Sequence, residues 1–132
     1  MPAPRILSAA LLGALLAAAP AAAGPFDALQ TETNAAHTPV ITAPATVKAG
    51  EPFDVTVTIG ATPHPSETGH FVRYIALYAG EVELARADLT PTLTRPRVTF
   101  TVVLEQPATL RALAAPNHAA AYVAEQAVAV TP

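Results

Sequence analysis

The chain has no cysteine and no tryptophan, and only 13% of its 132 residues are charged. Without cysteine, no disulfide can staple the fold and no thiolate can serve catalysis or bind a metal. The basic residues stand singly, and Lys48 is the one lysine. No basic stripe is therefore on offer to a nucleic acid, and no basic amphipathic helix to a membrane surface. Serine occurs only at Ser8 and Ser66, so a serine–histidine–acid set has almost nothing to be built from. A glycine-rich phosphate loop is missing too.

One long apolar run is present. It follows Arg5, extends from Ile6 to about Ala19, and ends in the small residues Ala21, Ala22 and Ala23 before Gly24. This is the pattern of a secretory signal peptide over residues 1–23 with an A-x-A cleavage site. The run is shorter than the roughly 20 residues that span a bilayer, and no stop-transfer charges follow it. The absence of a cysteine at the cleavage point excludes a lipoprotein. A single arginine points to general export rather than the twin-arginine route. The expectation is a periplasmic protein with no membrane attachment after cleavage. Its net charge, −3 for the whole chain, becomes −4 once Arg5 is removed. With no disulfide, the remaining domain must be held by its core alone.

Beyond an extended N-terminal arm (residues 24–36), the pattern is strand, turn, strand. "PFDVTVTIG" alternates, with Phe53, Val55, Val57 and Ile59 on one face and Asp54, Thr56 and Thr58 on the other. "HFVRYIALYAG" places Phe71, Ile75 and Leu77 together and sets Val72, Tyr74 and Tyr78 opposite, before "EVELARADL" returns as a hairpin partner. "RVTFTVVLE" puts Val98, Phe100, Val102 and Leu104 in phase. "HAAAYVAEQAVAV" is the one segment where alanine makes a helix compete; Tyr122, Val123, Val128 and Val130 favour a strand. Short strands with turn signals every 8–12 residues or so predict an all-β, immunoglobulin-like sandwich of about seven strands over residues 37–132.

The four histidines, His37, His64, His70 and His118, all fall at strand ends or in loops. Loop residues at one end of a sandwich can converge. The H-x5-H spacing of His64 and His70 is no zinc-finger pair. On residue pattern alone, ordinary surface histidines and a multi-histidine metal site both stand.

The segments "AHTPVITAP", "KAGEPFDVTVTIGATPHPSETGHFVRYIALY" and "VTFTVVLEQPATLRALAAPNHAAAYV" resemble the superoxide reductase domain of the desulfoferrodoxin and neelaredoxin family. The likeness runs from about His37 to Val130. Its most specific part is an H-P pair, a short polar loop, and a histidine opening an R-Y-I-x-L-Y strand. The resemblance implies an immunoglobulin-like sandwich carrying one iron. Four histidines bind it in a square plane, a cysteine binds one axial position, and superoxide meets the other. Carried onto this chain, the equatorial set is His37, His64, His70 and His118, every histidine present.

The chain departs from the family in informative ways. Ala115 or Pro116 stands where the axial cysteine would be. Ala36 replaces the lysine that helps attract superoxide, and Ala35 replaces a glutamate that can ligate the oxidised iron. Four neutral imidazoles without a thiolate predict a higher reduction potential and weaker hold on iron(II). Planar nitrogen donors also suit copper(II). The implied cofactor is thus one iron or copper ion, with superoxide as candidate substrate and a periplasmic electron donor or metal-exchange partner. Whether the chain is an enzyme stays open at this point. The alternatives are a non-catalytic copper carrier or chaperone, and a metal-free immunoglobulin-like interaction domain. Glu67 reads first as a solvated loop residue and second as a substitute axial ligand. Arg73 reads as an anion-steering charge or a surface ion-pair partner, Tyr74 and Tyr78 as packing residues, and Asn117 as a loop cap.

Overall fold

The computed structural model describes residues 24, 26–27, 29, 34–60 and 67–132. The leader expected over residues 1–23 lies outside the described residues, as do His64 and Ser66. Among the described residues, eight strands follow one another: β1 (Pro39–Thr42), β2 (Thr46–Lys48), β3 (Phe53–Ile59), β4 (Val72–Ala79), β5 (Val82–Asp88), β6 (Arg97–Val102), β7 (Ala108–Pro116) and β8 (Tyr122–Thr131). They make a three-stranded sheet, β1-β3-β6, and a five-stranded sheet, β2-β8-β7-β4-β5. The predicted immunoglobulin-like sandwich is the fold found. The strand beyond the expected seven is β2, whose three residues pair in parallel with β8 from Ala129 to Thr131.

Alternation in β3 works as the sequence implies. Val55, Val57 and Ile59 are fully buried. On the opposite face, Thr101 of β6 donates to Asp54 at 2.7 Å, and the Thr56 and Thr99 hydroxyls meet at 2.8 Å. Val98, Phe100 and Val102 of β6 pack on the same core as β3. The five-stranded sheet answers with Ile75, Leu77, Leu110, Ala112, Ala114 and Val128. Each large aliphatic buried here contributes about 1.5–3 kcal/mol, and no disulfide supplements them. The segment where a helix competed is strand β8, because Val128 is needed in the core and Tyr122 at the rim.

One phase expectation is corrected. Val72, not Phe71, shares the core with Ile75 and Leu77. The pairing of β4 with β7 shifts register between Val72 and Tyr74, which leaves Arg73 as an extra residue. Such a bulge reverses the in-and-out order of whatever precedes it and bends the strand entry, where His70 sits. At the other end of β4, Gly80 takes a φ of 60° and closes a two-residue hairpin onto β5, the geometry that fits strand twist.

The outer face of the five-stranded sheet carries a second apolar cluster of Ala76, Tyr78, Leu113 and Ala115. Phe26 and Leu29 of the N-terminal arm lie on it. Phe26 meets Tyr78 edge-on at 5.0 Å, the Arg111 guanidinium sits 4.8 Å over Phe26, and Leu29 pairs with Ala121. Tyr74 and Tyr78 are packing residues, as read. The Tyr74 ring lies 4.1 Å beneath the Arg86 guanidinium, and the Tyr78 hydroxyl donates to Glu83.

Candidate metal centre

Three separate turns carry the histidines to one end of the sandwich. His37 closes a tight turn organised by Asn34. The Asn34 carbonyl accepts from His37 N at 3.0 Å and Thr38 N at 2.7 Å, and its side chain accepts from Ala36 N at 2.9 Å. This turn is seated on the exit of β3, where Gly60 N donates to Thr38 O at 2.8 Å. His70 ends a compact turn in which Glu67 and His70 exchange backbone hydrogen bonds of 3.0 Å. His118 stands in the loop between β7 and β8. Asn117 ties that loop to the start of β4: Phe71 N donates to Asn117 Oδ1 at 3.0 Å, and Asn117 Nδ2 donates to Gly69 O at 3.3 Å. Asn117 is therefore the cap its sequence position implied, and it reaches across to another strand.

The three rings converge. His70 and His118 stack with centroids 3.9 Å apart, and His37 lies 5.0 Å from His118 and 5.6 Å from His70. One ring nitrogen from each falls within 4.8 Å of the others. The Nε2 atoms of His37 and His118 are 3.1 Å apart. Two nitrogens each about 2.1 Å from one ion at a right angle would be separated by about 3.0 Å. The donor set thus fits a single transition-metal ion. Behind His37, the largely buried Tyr122 ring stacks nearly parallel at 5.4 Å. His37 and His70 are half-buried and His118 is exposed, so the rim is open to a small solute.

Electrostatics support the ligating form. Although His118 is exposed, the partial desolvation of its ring, and secondarily the neighbouring His70, hold its pKa below the ordinary imidazole value. A neutral imidazole is the one that binds metal. A folded-state value below the unfolded one means that the unfolded chain binds more protons at acid pH. The stability involved is present above the unfolded value of about 6.5 and is lost as pH falls through the folded one. Melting temperatures of metal-free protein should therefore drop as pH falls below about 6.5, and the slope should flatten in His118→Gln.

Of the residues singled out from sequence, His37, His70 and His118 meet, while His64 lies outside the described residues. The Glu67 carboxylate is exposed and does not join the converging atoms. Ala115 and Pro116 are buried in β7 and offer no side-chain donor. Arg73 is exposed, its guanidinium 5.9 Å from the Tyr74 ring. Sequence reasoning missed Asn34, Gly60 and Tyr122. Only Gly60 left a signal, as a glycine closing an alternating strand.

Comparison with known proteins bears on the family and the fold. The family model described as desulfoferrodoxin matches residues 29–119. A curated Methanocaldococcus jannaschii protein, provisionally named a superoxide reductase, is 43% identical over 60 residues. Those residues are 46% of this chain and 51% of the relative, so the match spans about half the length of that relative. The solved superoxide reductase (neelaredoxin) of Ignicoccus hospitalis is 37% identical with a TM-score of 0.66, covering 72% of this chain and 81% of its own. A Thermotoga maritima structure, also provisionally titled a superoxide reductase, has a TM-score of 0.74 at 27% identity. It covers 84% of this chain and 100% of its own.

Proposed function

Because the chain belongs to the desulfoferrodoxin family, we propose that it is an exported, periplasmic metalloprotein acting on superoxide at one histidine-bound ion. His37, His64, His70 and His118 hold that ion, which is iron or copper. The observation that carries this reading is the convergence of three imidazoles from three turns, two of them with nitrogens 3.1 Å apart. A bound redox ion supplies the one electron that, with two protons, converts superoxide to hydrogen peroxide.

The protein's own residues bind and orient. Asn34 and Tyr122 hold His37, Asn117 holds the His118 loop against the start of β4, and the exposed rim admits a small anion. No lysine stands beside His37, and the acidic chain does not concentrate anions at this rim. The donor set of neutral nitrogens without a thiolate supports copper as the competitor of iron. The exposure of His118 also supports a second reading, a carrier that exchanges copper with a periplasmic partner.

One experiment separates the two. Protein loaded with Fe(II) or Cu(I) is mixed with a pulse of superoxide, and its disappearance is followed. Consumption well above spontaneous dismutation, with peroxide as product, supports the enzyme. Decay at the spontaneous rate with tight, stoichiometric copper binding selects the carrier.

A further inference from the structure

The arm on the outer face of the five-stranded sheet begins at the residue where the leader is expected to end. Phe26 lies against Tyr78 and Arg111, at the end of the sheet away from the histidines, and Leu29 pairs with Ala121 nearer to them. Both pack on the apolar cluster of Ala76, Tyr78, Leu113 and Ala115. A tight turn presents Phe26, closed by a hydrogen bond of 3.2 Å from Asp27 N to Gly24 O. Within that turn Gly24 N donates to Asp27 Oδ2 at 2.5 Å. The ionised groups around the Phe26 socket already have partners: Arg111 pairs with Glu125, and Arg86 with Glu83, which also accepts from Tyr78. Among the described residues, no lysine or arginine pairs with Asp27. Its carboxylate faces a main-chain nitrogen instead.

That nitrogen is the one that cleavage after Ala23 sets free. We infer that removal of residues 1–23 sets a latch: the new α-ammonium of Gly24 forms an ion pair with Asp27 and holds Phe26 in its socket. The inference rests on the export reading above. A signal peptidase hydrolyses the Ala23–Gly24 bond. The hydroxyl of water joins the Ala23 carbonyl, its hydrogen goes to the Gly24 nitrogen, and the acid proton of Ala23 passes through solvent to complete the ammonium. An α-amine has an ordinary pKa of about 7.7–8.0, so near neutrality it is mostly charged. A neutral amide donor thereby becomes a cation opposite a carboxylate. Exposed pairs of this kind shift a two-state equilibrium by about 1.4- to 5-fold. The uncleaved chain holds the same turn by the weaker bond, so its arm leaves the apolar face more often.

The test uses the processed protein, beginning at Gly24, with a free and with an acetylated amine, and Asp27→Asn with a free amine. The α-amine is titrated by NMR. Docking of the arm is read from the ring-current shift that Phe26 imposes on the Arg111 side chain, with Phe26→Ala as the undocked reference. The amine pKa is expected to be higher in the unsubstituted protein than in Asp27→Asn, by about 0.2–0.7. Acetylation should lower the docked-to-released ratio by about 1.4- to 5-fold, and salt at about 1 M should remove the difference. Equal amine pKa values in the two proteins overturn the ion pair. An equal docked-to-released ratio in the free and acetylated protein overturns the latch. Export is decided separately, by the mass of the protein recovered from the periplasm. A mass that begins at Gly24 supports the latch in the cell. One that retains residues 1–23 overturns the export reading and the latch's role with it, while the amine titration still reports the pair.

Discussion

His118→Ala should abolish most of the stabilisation that a metal ion gives this protein while leaving the metal-free fold almost untouched. The side chain is exposed, so its loss opens no cavity. Structural metal sites with four ligands bind with about 10–16 kcal/mol, which makes one ligand worth roughly 3 kcal/mol, or a hundredfold or more in affinity. At a free metal concentration about a thousand times the dissociation constant, binding stabilises the folded state by about 4.1 kcal/mol. A hundredfold weaker site at the same concentration retains about 1.4 kcal/mol. For a domain of this size the difference amounts to a fall of roughly 10–20 °C in the melting temperature with metal present. Thermal melts with and without Cu(II) measure it directly. His70→Ala should behave alike, and His37→Ala should lose in addition the stack on Tyr122. The same substitution at His64 tests the fourth ligand proposed above. An unchanged metal-induced shift in His118→Ala would remove the site.

Much of this was legible because it is local. The two-residue period of β3 and β6 decides which side chains enter the core, and nothing distant overrides it. His37, His70 and His118 were legible as a set because each stands just outside a strand, where a sandwich gathers its loops. The bulge at Arg73 was not legible. It exists only in the pairing of β4 with β7, and it exchanges the places of Phe71 and Val72. Nor was β2, whose three residues become a strand only against β8. The support of the site was hidden for the same reason. Asn117 binds Phe71 across 46 positions, and Tyr122 reaches His37 from the far end of the chain. The chemistry of the centre is written in residue types, but its precision depends on contacts that no period encodes.

Gly60→Ala carries the largest expected loss of fold stability, and it falls on the site as well. Gly60 has a φ of 70°, where a side chain adds about 1–2 kcal/mol of strain. A Cβ there would lie 2.5 Å from the Ala35 carbonyl oxygen and 3.1 Å from that of Ala36. Those atoms are backbone and cannot rotate away, so the turn that presents His37 must move. Overpacking of this kind typically costs about 1–3 kcal/mol. The stiffer unfolded chain offsets up to about 1 kcal/mol. The net loss is about 3 kcal/mol, a melting temperature lower by roughly 10–20 °C, with metal affinity reduced because His37 is displaced. Gly80→Ala is the matched control. Its φ is 60° but nothing lies within 4 Å of the added carbon, so only the backbone penalty remains. It should lower the melting temperature by a few degrees and leave metal binding as it was. Equal effects of the two substitutions, or unaltered metal affinity in Gly60→Ala, would show that the His37 turn is not held by its packing against β3.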